Sequence, residues 1–229
     1  MSHLHRSKLM EQLQQAPYLA GLDDASLQKL ADLATWHEYA PGAIVFLEGD
    51  VNTGLYGVFT GWVKVVKFSS DGREQVLRYF GRDEVFNELG IFLSRPNPAT
   101  AIALEQTVLW QLHRSVLQPL LVAQPDLLLQ VMANMADRIV YLAEMVADLS
   151  LHTVEVRLAR LLLDAAIDDA LDRQPWLTQA ELAARLGTVP DVLSRVLRSL
   201  ADAGLIQVER RQIRILDRPG LIQCALLAE

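Results

Sequence analysis

Residues 126–151 run without a proline or glycine, and Leu128, Met132, Met135, Ile139, Leu142, Val146 and Leu149 follow at spacings of 4, 3, 4, 3, 4 and 3. An apolar residue every 3.5 positions marks a helix that lies lengthwise along another helix. Two partners satisfy that demand: the chain's own core, or the same helix of a second copy. Val131, Val140 and Met145 add apolar surface off the seam. The helix can therefore dock at home and keep a seam for self-association, and the reading is a homodimer.

The chain before this helix has two textures. Across residues 8–35, Leu9, Leu13, Leu19, Leu22, Leu27, Leu30 and Leu33 recur near helical spacing, with breaks at Pro17 and Gly21. Short β-rich runs follow at 43–46, 55–59, 62–68, 75–79 and 107–112, punctuated by Gly42, Gly49, Gly61, Gly72 and Gly81. That rhythm predicts a compact antiparallel sandwich or barrel. Asp71-Gly72 predicts a mirror-image hairpin turn, because that turn needs positive φ and glycine takes it without steric cost. No strand pair is separated by a helix long enough for a parallel crossover. The fold class is α+β, with an all-β roll in its first part.

After a helix predicted at 153–171 and a break at 172–175, the last segment carries the chemistry. Thr178-Gln179-Ala180-Glu181 is a capping box that starts a helix closed by Gly187. A second helix begins at Pro190-Asp191, buries Val192, Leu193, Val196, Leu197 and Leu200, and closes at Gly204. Two short strands around Arg210-Arg211 complete a winged helix-turn-helix. Pro190, Asp191, Ser194, Arg195 and Arg198 share the polar face of the second helix, which holds no lysine or glutamate. Arginine forks guanine O6 and N7, and short side chains meet neighbouring base edges. A winged helix also serves as a protein dock, so an effector-binding module that acts through protein partners with a degenerate winged helix is the alternative.

Charge first points the other way. The 229 residues carry a formal net charge of -7. Yet residues 1–150 hold 11 basic and 17 acidic groups, whereas 176–218 hold seven arginines and five acids. The acidity belongs to the first part and a local arginine excess to the last. The single cysteine, Cys224, excludes an intramolecular disulfide and an iron–sulfur cluster built on several thiolates. No apolar run reaches the roughly 18–20 residues of a bilayer span. The amino terminus lacks an apolar signal-peptide core, so the chain is expected in the cytoplasm, away from membranes. Glu88, His37, His113 and His152 stand without a nucleophile at informative spacing, and no P-loop or metal-ligand cluster occurs. Catalysis is not expected.

Taken in order, these parts resemble the CRP/FNR family of bacterial transcription regulators, from about residue 19 to 216. The likeness rests on Tyr39-Ala40-Pro41-Gly42, Phe46-Leu47-Glu48-Gly49-Asp50, Gly61-Trp62-Val63-Lys64-Val65, Val85-Phe86-Asn87-Glu88-Leu89-Gly90 and the stretch 187–195. The resemblance implies a double-stranded jelly-roll-like β-roll with the cyclic-nucleotide-binding-domain fold over 1–125, a dimerisation helix at 126–151 and a DNA-binding winged helix at 152–229. In its FNR-like branch an acid-x-x-Ser-Arg pattern reads a TTGAT half-site, which implies base contacts for Asp191, Ser194 and Arg195. Thr178, Gln179, Arg198, Arg210 and Arg211 are the further DNA-facing candidates. Asp191 has two readings, base contact or helix capping. The family's effector site falls on Asn87, Glu88, Leu89, Gly90, Pro98, Ala99 and Thr100. Its cyclic-nucleotide binders carry Gly-Glu and Arg-Ser pairs there; this chain has Asn87-Glu88 and Pro98-Ala99. Without that arginine a buried cyclic phosphate lacks its compensating cation, which argues against cyclic AMP and leaves the effector unknown. Arg95 is the substitute cation within reach in sequence. Heme sensing would draw an axial ligand from His37 or His113. The implied partners are double-stranded DNA, a second copy, and RNA polymerase where the chain activates.

Overall fold

The computed structural model describes residues 3–16, 19, 22–51, 54–93 and 95–226, with side chains from Ser7 onward. Two compact units emerge: Met1–Lys67 with Leu77–Val140, and Phe68–Val76 with Tyr141–Glu229. Pro17 and Gly21, the breaks expected in the lead-in, lie outside the described residues.

The first unit opens with helices α1 (His3–Gln15) and α2 (Asp24–Leu33). Asp23 caps α2 by accepting from the Ser26 amide at 2.7 Å, and that bond lowers its pKa from the usual carboxylate value. The roll comprises two antiparallel four-stranded sheets. One has the order β1 (Thr35–Tyr39), β8 (Thr107–His113), β3 (Gly54–Thr60), β6 (Val85–Phe86). The other has the order β2 (Ile44–Phe46), β7 (Thr100–Ala103), β4 (Val63–Phe68), β5 (Glu74–Phe80). Phe46, Tyr56, Val58, Val63, Phe80, Phe86, Ala101 and Leu109 form a buried cluster within the roll. The stretch 85–90 forms strand β6 followed by the start of α3 (Leu89–Phe92). Helix α4 (Arg114–Ala123) leads into α5 (Pro125–Leu151), whose Leu127 and Val131 are buried. These two join Leu9, Leu13, Leu27, Leu30, Leu117 and Leu121 in the core beside the roll.

The Asp71-Gly72 turn departs from expectation. Only Gly72 has positive φ, and the Gly72 amide donates to the Ser69 carbonyl at 3.0 Å. The hairpin therefore closes on three residues, with Gly72 in the left-handed bulge position. A mirror-image two-residue turn exists elsewhere, at Asp168-Asp169 (φ +50° and +59°), where Ile167 and Ala170 exchange both backbone bonds at 3.0 Å. It ends the helix expected to reach 171: α6 covers Val154–Ala165, and the chain turns into strand β9 (Ala170–Asp172).

The second unit continues with α7 (Gln179–Arg185), α8 (Pro190–Asp202), β10 (Ile206–Val208), β11 (Gln212–Ile215) and α9 (Arg218–Leu226). The wing is a three-stranded sheet of order β10-β11-β9. Leu158, Leu162, Leu182, Leu193, Leu197, Leu200, Ile206, Ile213 and Leu221 form its core. Among the described residues no single helix is long and apolar enough to cross a membrane.

Candidate nucleic-acid interface and ligand site

Helix α8 is positioned by the turn that precedes it and from beneath. Thr178 caps α7 by accepting from the Glu181 amide at 3.2 Å, as the capping box predicts. Gly187 then takes φ +62°, and its amide approaches the Ala184 carbonyl at 3.4 Å. The chain turns into Val189, the α8 N-cap, which offers no side-chain cap bond, with Pro190 in the first turn. Leu193, Leu197 and Leu200 are buried at 4% exposure or less, which orients the helix. The opposite stripe leaves Asp191, Arg195 and Arg198 exposed and Ser194 half-buried. Thr178, Gln179, Arg210 and Arg211 are exposed as well. A rigid helix thus presents two arginine forks and one carboxylate to solvent, with a pair of arginines in the wing loop. Such a surface suits a polyanion whose groove edges offer acceptors.

The roll holds the second constellation. Asn87 stands where a cyclic-nucleotide binder has glycine, and it takes φ +67°, a left-handed conformation that asparagine tolerates better than most residues. Its side-chain amide donates to the Gly54 carbonyl at 2.9 Å. Gly90 packs against the same strand: a Cβ there would lie 2.8 Å from the Gly54 carbonyl oxygen. Arg114 of α4 donates to the Gly90 and Leu93 carbonyls, and Gln118 donates to that of Ile91 at 2.7 Å. Those bonds satisfy carbonyls that a four-residue helix cannot pair internally.

Glu88 is buried at 4% exposure and receives a hydrogen bond from Arg138 of α5 at 2.5 Å. The Arg138 guanidinium also lies 5.2 Å from the Phe80 ring centroid, within cation–π range. Sequence reasoning passed over Arg138, fifty residues from its partner and set among seam residues. On the other side, Thr100 is buried and its hydroxyl accepts from the Glu48 amide at 2.9 Å. Ala99 is buried, while Pro98 and Arg95 are exposed. The cation that meets the Pro98 carbonyl is Lys67 of β4, at 2.8 Å, and it is ion-paired with Glu48. Leu89 is half-exposed at 36%.

His113 spends its Nδ1 on capping α4, accepting from the Ser115 amide at 3.3 Å. His37 sits in β1 with Nε2 3.3 Å from the Thr35 hydroxyl. Among the described residues no group of three or more His, Cys, Asp or Glu is arranged to hold a metal ion.

The seam of α5 is re-registered by burial. Leu128 and Met135 pack partly against the chain's own core and Leu149 is half-buried. Met132, Ile139, Leu142 and Val146 remain exposed at 58%, 66%, 41% and 63%. Leu129 at 63% is exposed too, with Ala136 and Ala143. The exposed stripe is therefore 129, 132, 136, 139, 143, 146, again at spacings of 3 and 4. It alternates bulky positions with two alanines, and small side chains let a second helix approach closely.

Residues 36–124 match the cyclic nucleotide-binding domain family, and residues 156–224 match the Crp-like helix-turn-helix domain family. A cyclic AMP receptor protein of Thermus thermophilus is 30% identical over 185 residues, covering 78% of this chain and 85% of that one. A CRP-like cAMP-activated global transcriptional regulator of Mycobacterium tuberculosis is 27% identical over 221 residues, covering 94% of this chain and 99% of that one. In fold, the chain is similar to the structure of FixK2 from Bradyrhizobium japonicum, with a TM-score of 0.73 and 23% identity over 83% of this chain and 96% of that one. A roll of the cyclic nucleotide-binding type and a winged helix-turn-helix with an exposed arginine face, each matched in its own segment, place this chain in the CRP/FNR family of DNA-binding transcription regulators.

Proposed function

We propose that the protein acts in the cytoplasm as a homodimeric regulator that binds a palindromic operator of TTGAT-like half-sites through α8 and the wing. The observation that carries this is the α8 face, where Leu193, Leu197 and Leu200 are buried while Asp191, Arg195 and Arg198 stand exposed opposite them. Arg195 pairs with guanine, Asp191 accepts from a cytosine or adenine amino group, and Ser194 meets a neighbouring base. With Val189 at the N-cap, Asp191 is left for base contact. Thr178, Gln179, Arg198, Arg210 and Arg211 serve the phosphates on either side. The exposed α5 stripe joins two copies, and RNA polymerase is the further partner where the protein activates. Residues 1–125 form the sensor, 126–151 the dimer helix and 152–229 the reader.

The effector is not cyclic AMP in this reading. Pro98 replaces the phosphate-binding arginine, and the nearby cations Lys67 and Arg138 are already bound to Glu48 and Glu88. An incoming cyclic phosphate would have to break an internal ion pair to find its counter-charge. Gel shift with a TTGAT palindrome at several salt concentrations tests the operator reading: binding should weaken steeply with salt and vanish with scrambled half-sites. Equal binding to scrambled DNA would overturn it. Calorimetry with cyclic AMP should show no heat of binding at micromolar concentrations.

A further inference from the structure

Helices α5 and α6 are separated by only two residues, His152 and Thr153. Thr153 caps α6, accepting from the Val156 amide at 3.4 Å. Charge spans the gap. Asp148, in the last turn of α5, has its Oδ1 3.0 Å from the His152 ring nitrogen Nδ1 and 2.6 Å from Nη1 of Arg160 in α6. Arg160 does not stop there. Its Nε donates to the Ala225 carbonyl in the last turn of α9 at 3.2 Å. His152 is only 13% exposed in its side chain, so the cluster is screened from water on one side. One guanidinium therefore ties three helices at the point where the dimer helix gives way to the winged helix. Glu155, also on α6, is directed elsewhere: its carboxylate lies 3.7 Å from the Cys224 sulfur.

We propose that Asp148, His152 and Arg160 are positioning residues that fix the angle between α5 and the winged helix, and so set the half-site spacing the dimer accepts. None of the three touches DNA. They act through the orientation of α8, and the proposal rests on the homodimer-on-palindrome reading. An angular change at a two-residue joint is amplified along α6 to α8. A looser joint would let the two reading helices meet half-sites at several separations with similar affinity, whereas a clamped joint favours one.

The test uses the full chain and duplexes whose two half-sites are one base pair closer, optimal, or one base pair further apart. Wild type should prefer one spacing. Asp148→Ala and Arg160→Ala should each reduce that preference about fivefold, consistent with loss of a half-exposed ion pair. Their affinity at the optimal spacing should change less than the preference does. The double variant should lose no more than either single, because the groups act as one unit, and Arg160→Lys should recover part of the preference. Hydrogen exchange of amides 149–158 on the same proteins should speed up in both alanine variants. Unchanged spacing preference with unchanged exchange would overturn the clamp. If wild type binds no pair of half-sites at any spacing, the operator reading fails. Exchange then decides the clamp alone: faster in the variants supports it, unchanged removes it.

Discussion

Arg195 and Arg210 are both exposed arginines of the second unit, yet their surroundings differ. Arg195 lies on a helix locked by three buried leucines, so its fork has a defined direction; Arg210 sits in the turn between two short strands. Replacing Arg195 with alanine should cost about 1–3 kcal/mol on the cognate site and relax one base position, with little change in salt dependence. Replacing Arg210 should weaken all sequences alike and lower the salt slope by about one. Binding titrations on cognate and single-substituted duplexes separate the two outcomes. Cys224 offers a different measurement. Burial pushes its thiol above the ordinary value of 9.0, and the Glu155 carboxylate pushes it further. The folded thiol holds its proton more tightly than the unfolded one. That contribution to stability is fully present below 9.0 and is lost as pH rises through the higher folded value. Iodoacetamide at pH 8 should therefore label native protein at least about tenfold more slowly than urea-unfolded protein, and Glu155→Gln should narrow the gap.

Among the elements, α5 makes the clearest prediction. Ile139 lies at the middle of an exposed apolar stripe and contributes nothing to the chain's own core. Ile139→Glu should leave the thermal midpoint within a degree or two while shifting sedimentation from dimer to monomer at micromolar concentration, because two buried glutamates would face each other. If the variant stays dimeric, the helices pair through another face. The seam was visible in the sequence as a period, but which of its residues faced outward was not: 128 and 135 pack against a core that residues far away in the chain help to build. The α7–turn–α8 unit was legible because its determinants are local, namely a cap, a glycine and a 3.6-residue period. Strand β7 was not, since Thr100-Ala101-Ile102-Ala103 has weak β character of its own and is held by pairing with β2 and β4. Helix α9 was missed for a related reason. It begins Arg218-Pro219-Gly220, which reads as a turn, and it is held in place by burying Leu221, Cys224 and Ala225. The end of α6 is not legible because residues 166–172 hold no glycine or proline, and Asp168 and Asp169 take the left-handed turn there.

For the whole molecule, a net charge of -7 is a poor guide to the partner, because exposed charges are screened beyond a Debye length of about 8 Å and a local arginine excess is felt independently of distant acids. The roll shows the same separation of sum from place: Glu88 and Arg138 cancel in any count, yet they meet as an ion pair in which the carboxylate is buried. Removing Arg138 should take the guanidinium away from a buried carboxylate and destabilise the first unit by about 3 kcal/mol in urea unfolding, with Glu88→Gln in the same background recovering most of it. The second unit carries its own lesson in the short tip Phe68–Val76. Gln75 donates to the Arg185 carbonyl at 3.4 Å and lies against the turn at Gly187, although 110 residues separate the two in sequence. A reader module excised at residue 152 and fused to a foreign sensor would arrive without that tip.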